Sequence, residues 1–164
     1  MLGDYLAIPA TPLRGNIGTF VDTSAMHVQP APPTRDAIAQ LLCDHHIIPT
    51  QQRVDIASVL LIRQQHLTAD RLLDEVNTAH NGAVSKATVY NTLSLFVEKG
   101  LIREVIVEAG RVFYDSNTAP HHHVYNLDSG EITDFPADGV RILGLPDLPE
   151  GAEVADIVVR VREH

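Results

Sequence analysis

Sulfur is almost missing from this chain: among 164 residues there is one cysteine, Cys43. A single thiol allows no intramolecular disulfide and no cysteine-built zinc site. Its expected place is that of a small buried apolar residue rather than a sensor. Long apolar runs are missing too, and nothing approaches the roughly 20 residues that cross a bilayer. The opening MLGDYLAIPATPLRG lacks the basic start and long apolar core of a secretory signal, so the expected compartment is the cytoplasm, with no membrane partner. Positive charge is scarce: 12 Lys/Arg stand against 21 Asp/Glu, for a net charge of -9. Such a balance argues at first against nucleic acid, whose phosphates attract basic surfaces. The acid excess is uneven, however, with 8 basic against 10 acidic residues over 31–117 and 3 against 9 over 118–164.

What is present suits a folded chain. Hydrophobic residues make up 45% and charged residues 20%, which are globular values. The length allows one domain or two small ones around a real core. Residues 1–33 hold half of the ten prolines and little apolar periodicity, and read as a flexible arm. From Thr34 the pattern changes. TRDAIAQLLCDHH reads as a helix capped by Thr34, QQRVDIASVLLIRQQ as a second opened by Thr50, and ADRLLDEVNTAH as a third capped by Thr68 and stopped at Asn81-Gly82. Ser85 caps a fourth, KATVYNTLSLFVEK, stopped at Gly100. On it Val89, Leu93, Phe96 and Val97 form an apolar stripe, with Ala87, Asn91 and Ser94 opposite and Thr88 and Tyr90 on the flanks.

LIREVIVE and RVFYD, parted by Ala109-Gly110, read as a two-stranded hairpin. Helices followed by such a wing make a winged helix-turn-helix over 34–117. The remainder, 118–164, supplies VYNL and EITDF across an Asp128-Ser129-Gly130 turn, a short helix around Val140–Leu143 and a last strand, EVADIVVRV. It is a small α/β unit that would gain from dimerisation. The expected fold class is therefore α+β.

Three consecutive histidines, His121, His122 and His123, open the first of these strands. Alternate side chains of a strand share a face, so His121 and His123 point together and His122 points away. Two imidazoles at i and i+2 can grip one metal ion.

PTQQR at 49–53, HLTADRLL at 66–73, SKATVYNTL at 85–93 and HHHVYNLDSGEITDF at 121–135 stand in the order found in the Fur family of metal-dependent transcriptional regulators. The chain resembles that family from about Pro49 to Val161. The ATVYNTL form with Asn91, the HHH tract and the missing cysteines resemble its iron- and haem-responsive Irr branch most. The resemblance implies a homodimer that binds a double-stranded, inverted-repeat DNA operator. It also completes the metal site: His66, Asp115 and Asp134 would join His121 and His123, three nitrogens and two carboxylates suited to Fe, Mn or Zn as divalent ions. His122 and Asp156 match a second metal site, and the HHH tract a haem site in Irr-like proteins, consistent with an accessible imidazole. The family's Cys-x-x-Cys pair is replaced by Asn126 and Ser129, so no Cys-ligated structural zinc is expected. Peroxide-sensing PerR relatives also place aspartates at 115 and 134, which makes that branch the alternative.

On the reading helix, Tyr90 would touch a thymine methyl and Asn91 would read adenine, with Thr88 beside them. Arg53 and Lys86 would hold phosphates, while Arg111 either reaches the DNA backbone or supports the hairpin. A metal-dependent hydrolase is the competing class. It lacks a general base, an oxyanion-hole motif or a pocket signature, so no enzyme activity is expected.

Overall fold

The computed structural model describes residues 33–82, 84–152 and 156–162. The arm expected over 1–33 lies outside the described residues except for Pro33.

Four helices come first: α1 (Arg35–Asp44), α2 (Gln51–Leu60), α3 (Ala69–Ala79) and α4 (Lys86–Glu98). Hydroxyl side chains start three of them by satisfying an amide that the first turn leaves without a partner. Thr34 accepts from the Ala37 amide at 3.2 Å, Thr68 from Arg71 at 3.3 Å and Ser85 from Thr88 at 3.2 Å. Thr50 holds the same position before α2 without making a side-chain cap bond. Thr68→Ala is expected to lower stability by about 1 kcal/mol, read as an earlier thermal midpoint in a metal-free melt.

α2 stops at Leu60, well short of the run to Gln65 expected from its sequence. The Gln65 amide turns back and donates to the carbonyls of Val59 (2.7 Å) and Leu60 (3.1 Å), closing the helix end. α3 ends as expected, with Asn81 (φ 56°) and Gly82 (φ 76°) both left-handed.

The helices enclose a core of Ile38, Leu42, Ile56, Leu60, Leu72 and Phe96, among others. The stripe on α4 behaves as read: Val89, Leu93 and Phe96 are buried and Val97 half-buried, while Ala87, Asn91 and Ser94 are exposed. Cys43 does not follow its expectation. It is exposed near the end of α1, because the buried face of that helix is taken by Ile38 and Leu42.

Two three-stranded sheets follow. β2 (Arg103–Glu108) and β3 (Arg111–Asp115) form the hairpin, turning at Gly110 with φ 79°. A two-residue strand, β1 (His66–Leu67), pairs with β3, so the wing sheet runs β1-β3-β2 rather than being two-stranded. Two residues are too few to show alternation in a sequence. In the second sheet, β4 (His121–Asn126) lies between antiparallel β5 (Ile132–Pro136) and parallel β6 (Val158–Val161). The helix expected at Val140–Leu143 is not formed. A single 3-10 turn at Ala137–Gly139 takes its place, and the chain then runs irregularly past Pro146 and Pro149, which cannot donate helical hydrogen bonds.

A second core joins the two sheets: Val105, Val107 and Phe113 of the hairpin pack with Tyr125 of β4. Arg111 donates from Nη1 to the Tyr125 hydroxyl, which ties the hairpin to β4. The described residues accordingly fall within one unit.

Candidate metal centre and reading face

Strand register assembles the site. β1 sets His66 opposite Asp115, β2 sets Arg103 opposite the same Asp115, and β5 sets Asp134 opposite His123. Alternation along β4 sends His121, His123 and Tyr125 toward the wing sheet. His122 points the other way, its ring 5.5 Å from that of Phe135. The five expected ligands therefore meet. Asp115 Oδ2 lies 3.6 Å from His66 Nε2, 3.0 Å from His121 Nε2 and 3.6 Å from His123 Nε2. Asp134 Oδ1 lies 3.1, 3.5 and 3.8 Å from the same three nitrogens. The donor atoms of His66, Asp115, His121 and His123 are all within 4.8 Å of one another.

The surroundings fix which ring nitrogens face inward. His121 Nδ1 sits 2.8 Å from the Ala119 carbonyl, which can only accept, so Nδ1 carries the proton and Nε2 turns its lone pair to the centre. Asp156 does the same for His123, at 3.3 Å from Nδ1. Such outer partners orient metal-binding imidazoles. His66 Nε2, although 3.1 Å from Asp134, makes no aligned hydrogen bond and is buried. A buried ring nitrogen left so is costly unless something else satisfies it, and a divalent cation among these donors would. The residues present fit such an ion, and with three nitrogens, two carboxylates and no thiolate they favour Fe(II), Mn(II) or Zn(II) over Cu(I).

Asp115 is fully buried. Burial pushes its carboxyl up, but the imidazoles of His123 and His66, the Asn117 amide and the Arg103 guanidinium outweigh that and hold it well below the usual carboxylate range. A carboxyl so depressed contributes stability above the ordinary carboxylate range and loses it only as pH falls through the lowered value. At neutral pH it is an anion, and the Arg103 guanidinium is its partner.

Arg103 was not foreseen. Its Nε donates to Asp115 Oδ2 at 2.9 Å, and its Nη2 lies 2.7 Å from His121 Nε2, 3.3 Å from the His121 carbonyl and 3.3 Å from His123 Nε2. Counting back from the Ala109-Gly110 turn would pair Glu104 with Asp115. A register shift between Ile106 and Glu108 moves Arg103 there instead.

The second site expected from His122 and Asp156 is not assembled in the same way. Asp156 Oδ1 is 4.0 Å from His122 Nδ1 and closer to His123, while His122 Nδ1 is buried without a hydrogen-bond partner. At the positions without cysteine, Asn126 accepts from the amides of Asp128 (2.8 Å) and Ser129 (3.1 Å), which holds the β4–β5 turn together.

The residues expected to read DNA lie on and beside α4. Tyr90 is 40% exposed, Asn91 is exposed and Thr88 half-buried. Arg53, Thr88 and Asn91 line one shallow depression between α2 and α4. Arg53 donates to the Ile48 carbonyl at 3.0 Å. Lys86 reaches over the Tyr90 ring at 5.6 Å but pairs with Asp70 at 2.7 Å, a hydrogen bond that raises the ammonium's pKa.

One array outlines hydrolytic chemistry. His80 Nε2 is 3.2 Å from Ser58 Oγ and its Nδ1 3.6 Å from Asp55. Ser58 gives its proton to the Asp55 backbone carbonyl at 2.7 Å, and the Asp55 carboxylate is held by Arg35 at 2.7 Å. Neither group is poised as a nucleophile or its orienter.

Residues 47–155 match the model of the Ferric uptake regulator family. The peroxide-responsive repressor PerR of Staphylococcus epidermidis is 31% identical over 86 residues, 52% of this chain and 57% of that protein. The chain thus spans little more than half the length of this curated relative. Among solved structures, the ferric uptake regulator from Pseudomonas aeruginosa with manganese superposes with a TM-score of 0.57 at 22% identity, covering 76% of this chain and 96% of that one. The Vibrio cholerae ferric uptake regulator does so with a TM-score of 0.58, also at 22%, covering 76% and 98%. At that identity the likeness speaks for the fold, an α+β arrangement of a helical N-terminal part and a small stranded C-terminal part. No helix among the described residues is long and apolar enough to cross a membrane. With its family model matched over 47–155, the greater part of its length, the chain belongs to the ferric uptake regulator family.

Proposed function

We propose that this chain is a homodimeric, sequence-specific DNA-binding transcriptional regulator, set by a divalent metal at His66, Asp115, His121, His123 and Asp134. The observation that carries this reading is the convergence of five donors from two different sheets. A bound ion would supply concentrated positive charge between Asp115 and Asp134. His66 and Asp115 belong to the winged-helix part, 34–117, and the other three ligands to 118–164, so ligation fixes the angle between the reading helix and the rest. Tyr90 and Asn91 face the major groove, Thr88 lies beside them, and Arg53 and Lys86 meet the phosphates. The second copy docks on 118–164, where Leu143 is 90% exposed and Leu145, Leu148, Val159 and Val161 are exposed with it. Those apolar side chains are the expected seat of the second copy.

Within the family, Asn91, the histidine tract and the missing cysteine pair support an iron-responsive, Irr-like role. Haem at the same tract would need one of these imidazoles to open, since His121, His122 and His123 are 6%, 8% and 0% exposed, short of the accessible imidazole expected from the sequence. Peroxide sensing is the second reading, favoured by Asp115 and Asp134 and by the likeness to a peroxide-responsive repressor. It requires oxidation of a ligating histidine, His66, His121 or His123, when the Fe(II)-loaded protein meets peroxide, seen as added oxygen by mass spectrometry.

The test of the main reading is operator affinity, on DNA selected from a random pool, with saturating Mn(II) and with chelator. The two should differ by about tenfold or more, within the usual range of allosteric coupling, and the protein should sediment as a dimer. Affinity that ignores metal would remove the regulator reading.

A further inference from the structure

We infer that Arg103 is a built-in rival of the metal, a cation that occupies the same donor set and sets the concentration at which the site fills. The inference deepens the metal reading above and rests on it. The geometry is specific. Arg103 Nη2 lies 2.7 Å from His121 Nε2 and 3.3 Å from His123 Nε2, while Nε binds Asp115 Oδ2 at 2.9 Å. Each imidazole Nε2 has one lone pair. It can accept from a guanidinium or bind a metal, and it cannot do both.

Three of the five proposed ligands are therefore engaged by one side chain that never loses its charge. To admit an ion, Nη2 has to leave both imidazoles. Any guanidinium that stays on Asp115 then repels the incoming charge in a poorly screened setting, since Asp115 and His123 are fully buried and His121 nearly so. Arg103 has somewhere to go: a quarter of its side chain, 24%, is already exposed. It ties β2 to β3 and β4, where the ion would instead join β1, β3, β4 and β5, and it keeps the buried carboxylate paired whenever the ion is away. The same residue guards stability and opposes occupancy.

The experiment uses the full chain. Mn(II) binding is measured by calorimetry on wild type, Arg103→Gln and Arg103→Lys. Arg103→Gln should bind about tenfold tighter or more, because it removes the competing charge. Arg103→Lys keeps the charge and should stay within a few-fold of wild type. In metal-free melts Arg103→Gln should unfold earlier than wild type, with Mn(II) restoring the difference. Where Arg103→Gln does not fold, wild type alone decides: the Arg103 guanidinium proton signals, slowed by their hydrogen bonds, should vanish from nitrogen-15 spectra on saturation with Zn(II). Unaltered Arg103 signals at saturation, or a folded Arg103→Gln that binds Mn(II) no tighter than wild type, would overturn the inference and leave the metal reading standing. Failure of wild type and variant alike to take up Mn(II) or Zn(II) would overturn both.

Discussion

His123→Ala is expected to weaken Mn(II) or Zn(II) binding by more than about 100-fold, whereas His122→Ala should leave it within a few-fold. The contrast follows from one strand. His123 is fully buried, directs Nε2 at Asp115 and Asp134, and is held from behind by Asp156. His122 faces Phe135 on the opposite side. Removing a ligand should exceed the 10–100-fold cost typical of an outer partner, and Asp156→Ala should fall in that lower range. The readout is calorimetric titration of the single variants, with operator affinity measured alongside. Because metal needs neutral imidazoles, binding should also weaken as the solution is acidified. Equal losses from His122→Ala and His123→Ala would show that the two faces of β4 are misassigned.

On the DNA side the largest effects should come from Tyr90→Ala and Asn91→Ala, each losing about 1–3 kcal/mol of discrimination for a good base contact. Lys86→Ala should weaken binding to every sequence and flatten the salt dependence by about one unit of slope. The Asp70 partner at 2.7 Å sharpens this expectation. Losing Lys86 leaves an unpaired carboxylate near the phosphates, and Asp70→Asn should do the reverse, freeing the ammonium and tightening binding at low salt. Competition titrations of specific against random DNA separate the two classes. Uniform, sequence-blind losses from all three alanine variants would mean that α4 is not the reading helix.

The sequence carried much of this because the helices announce themselves locally. Thr34, Thr68 and Ser85 cap where a hydroxyl should, and the stripe on α4 is buried as its spacing implies. The facing of His121 and His123 followed from alternation alone. What escaped was set by pairing between distant segments. β1 is two residues long and exists only because β3 offers it an edge, so His66 met Asp115 without any local signal. The register shift in the hairpin moved Arg103 into the donor cluster against simple counting. The end of α2 was likewise decided by a side chain folding back, not by helix propensity. Cys43 could not be placed because α1 has few buried positions and they were already filled.

β4 has a mechanical consequence. His121, His123 and Tyr125 lie along one face of it, with Tyr125 held by the hairpin core and by Arg111, and the two histidines by Ala119, Asp156 and Arg103. The strand is also paired on both edges, with β5 on one side and β6 on the other. A close-packed interior transmits strain rather than absorbing it. A pull on either histidine is therefore expected to carry all three strands together, so that an ion would move a plate and not a single strand.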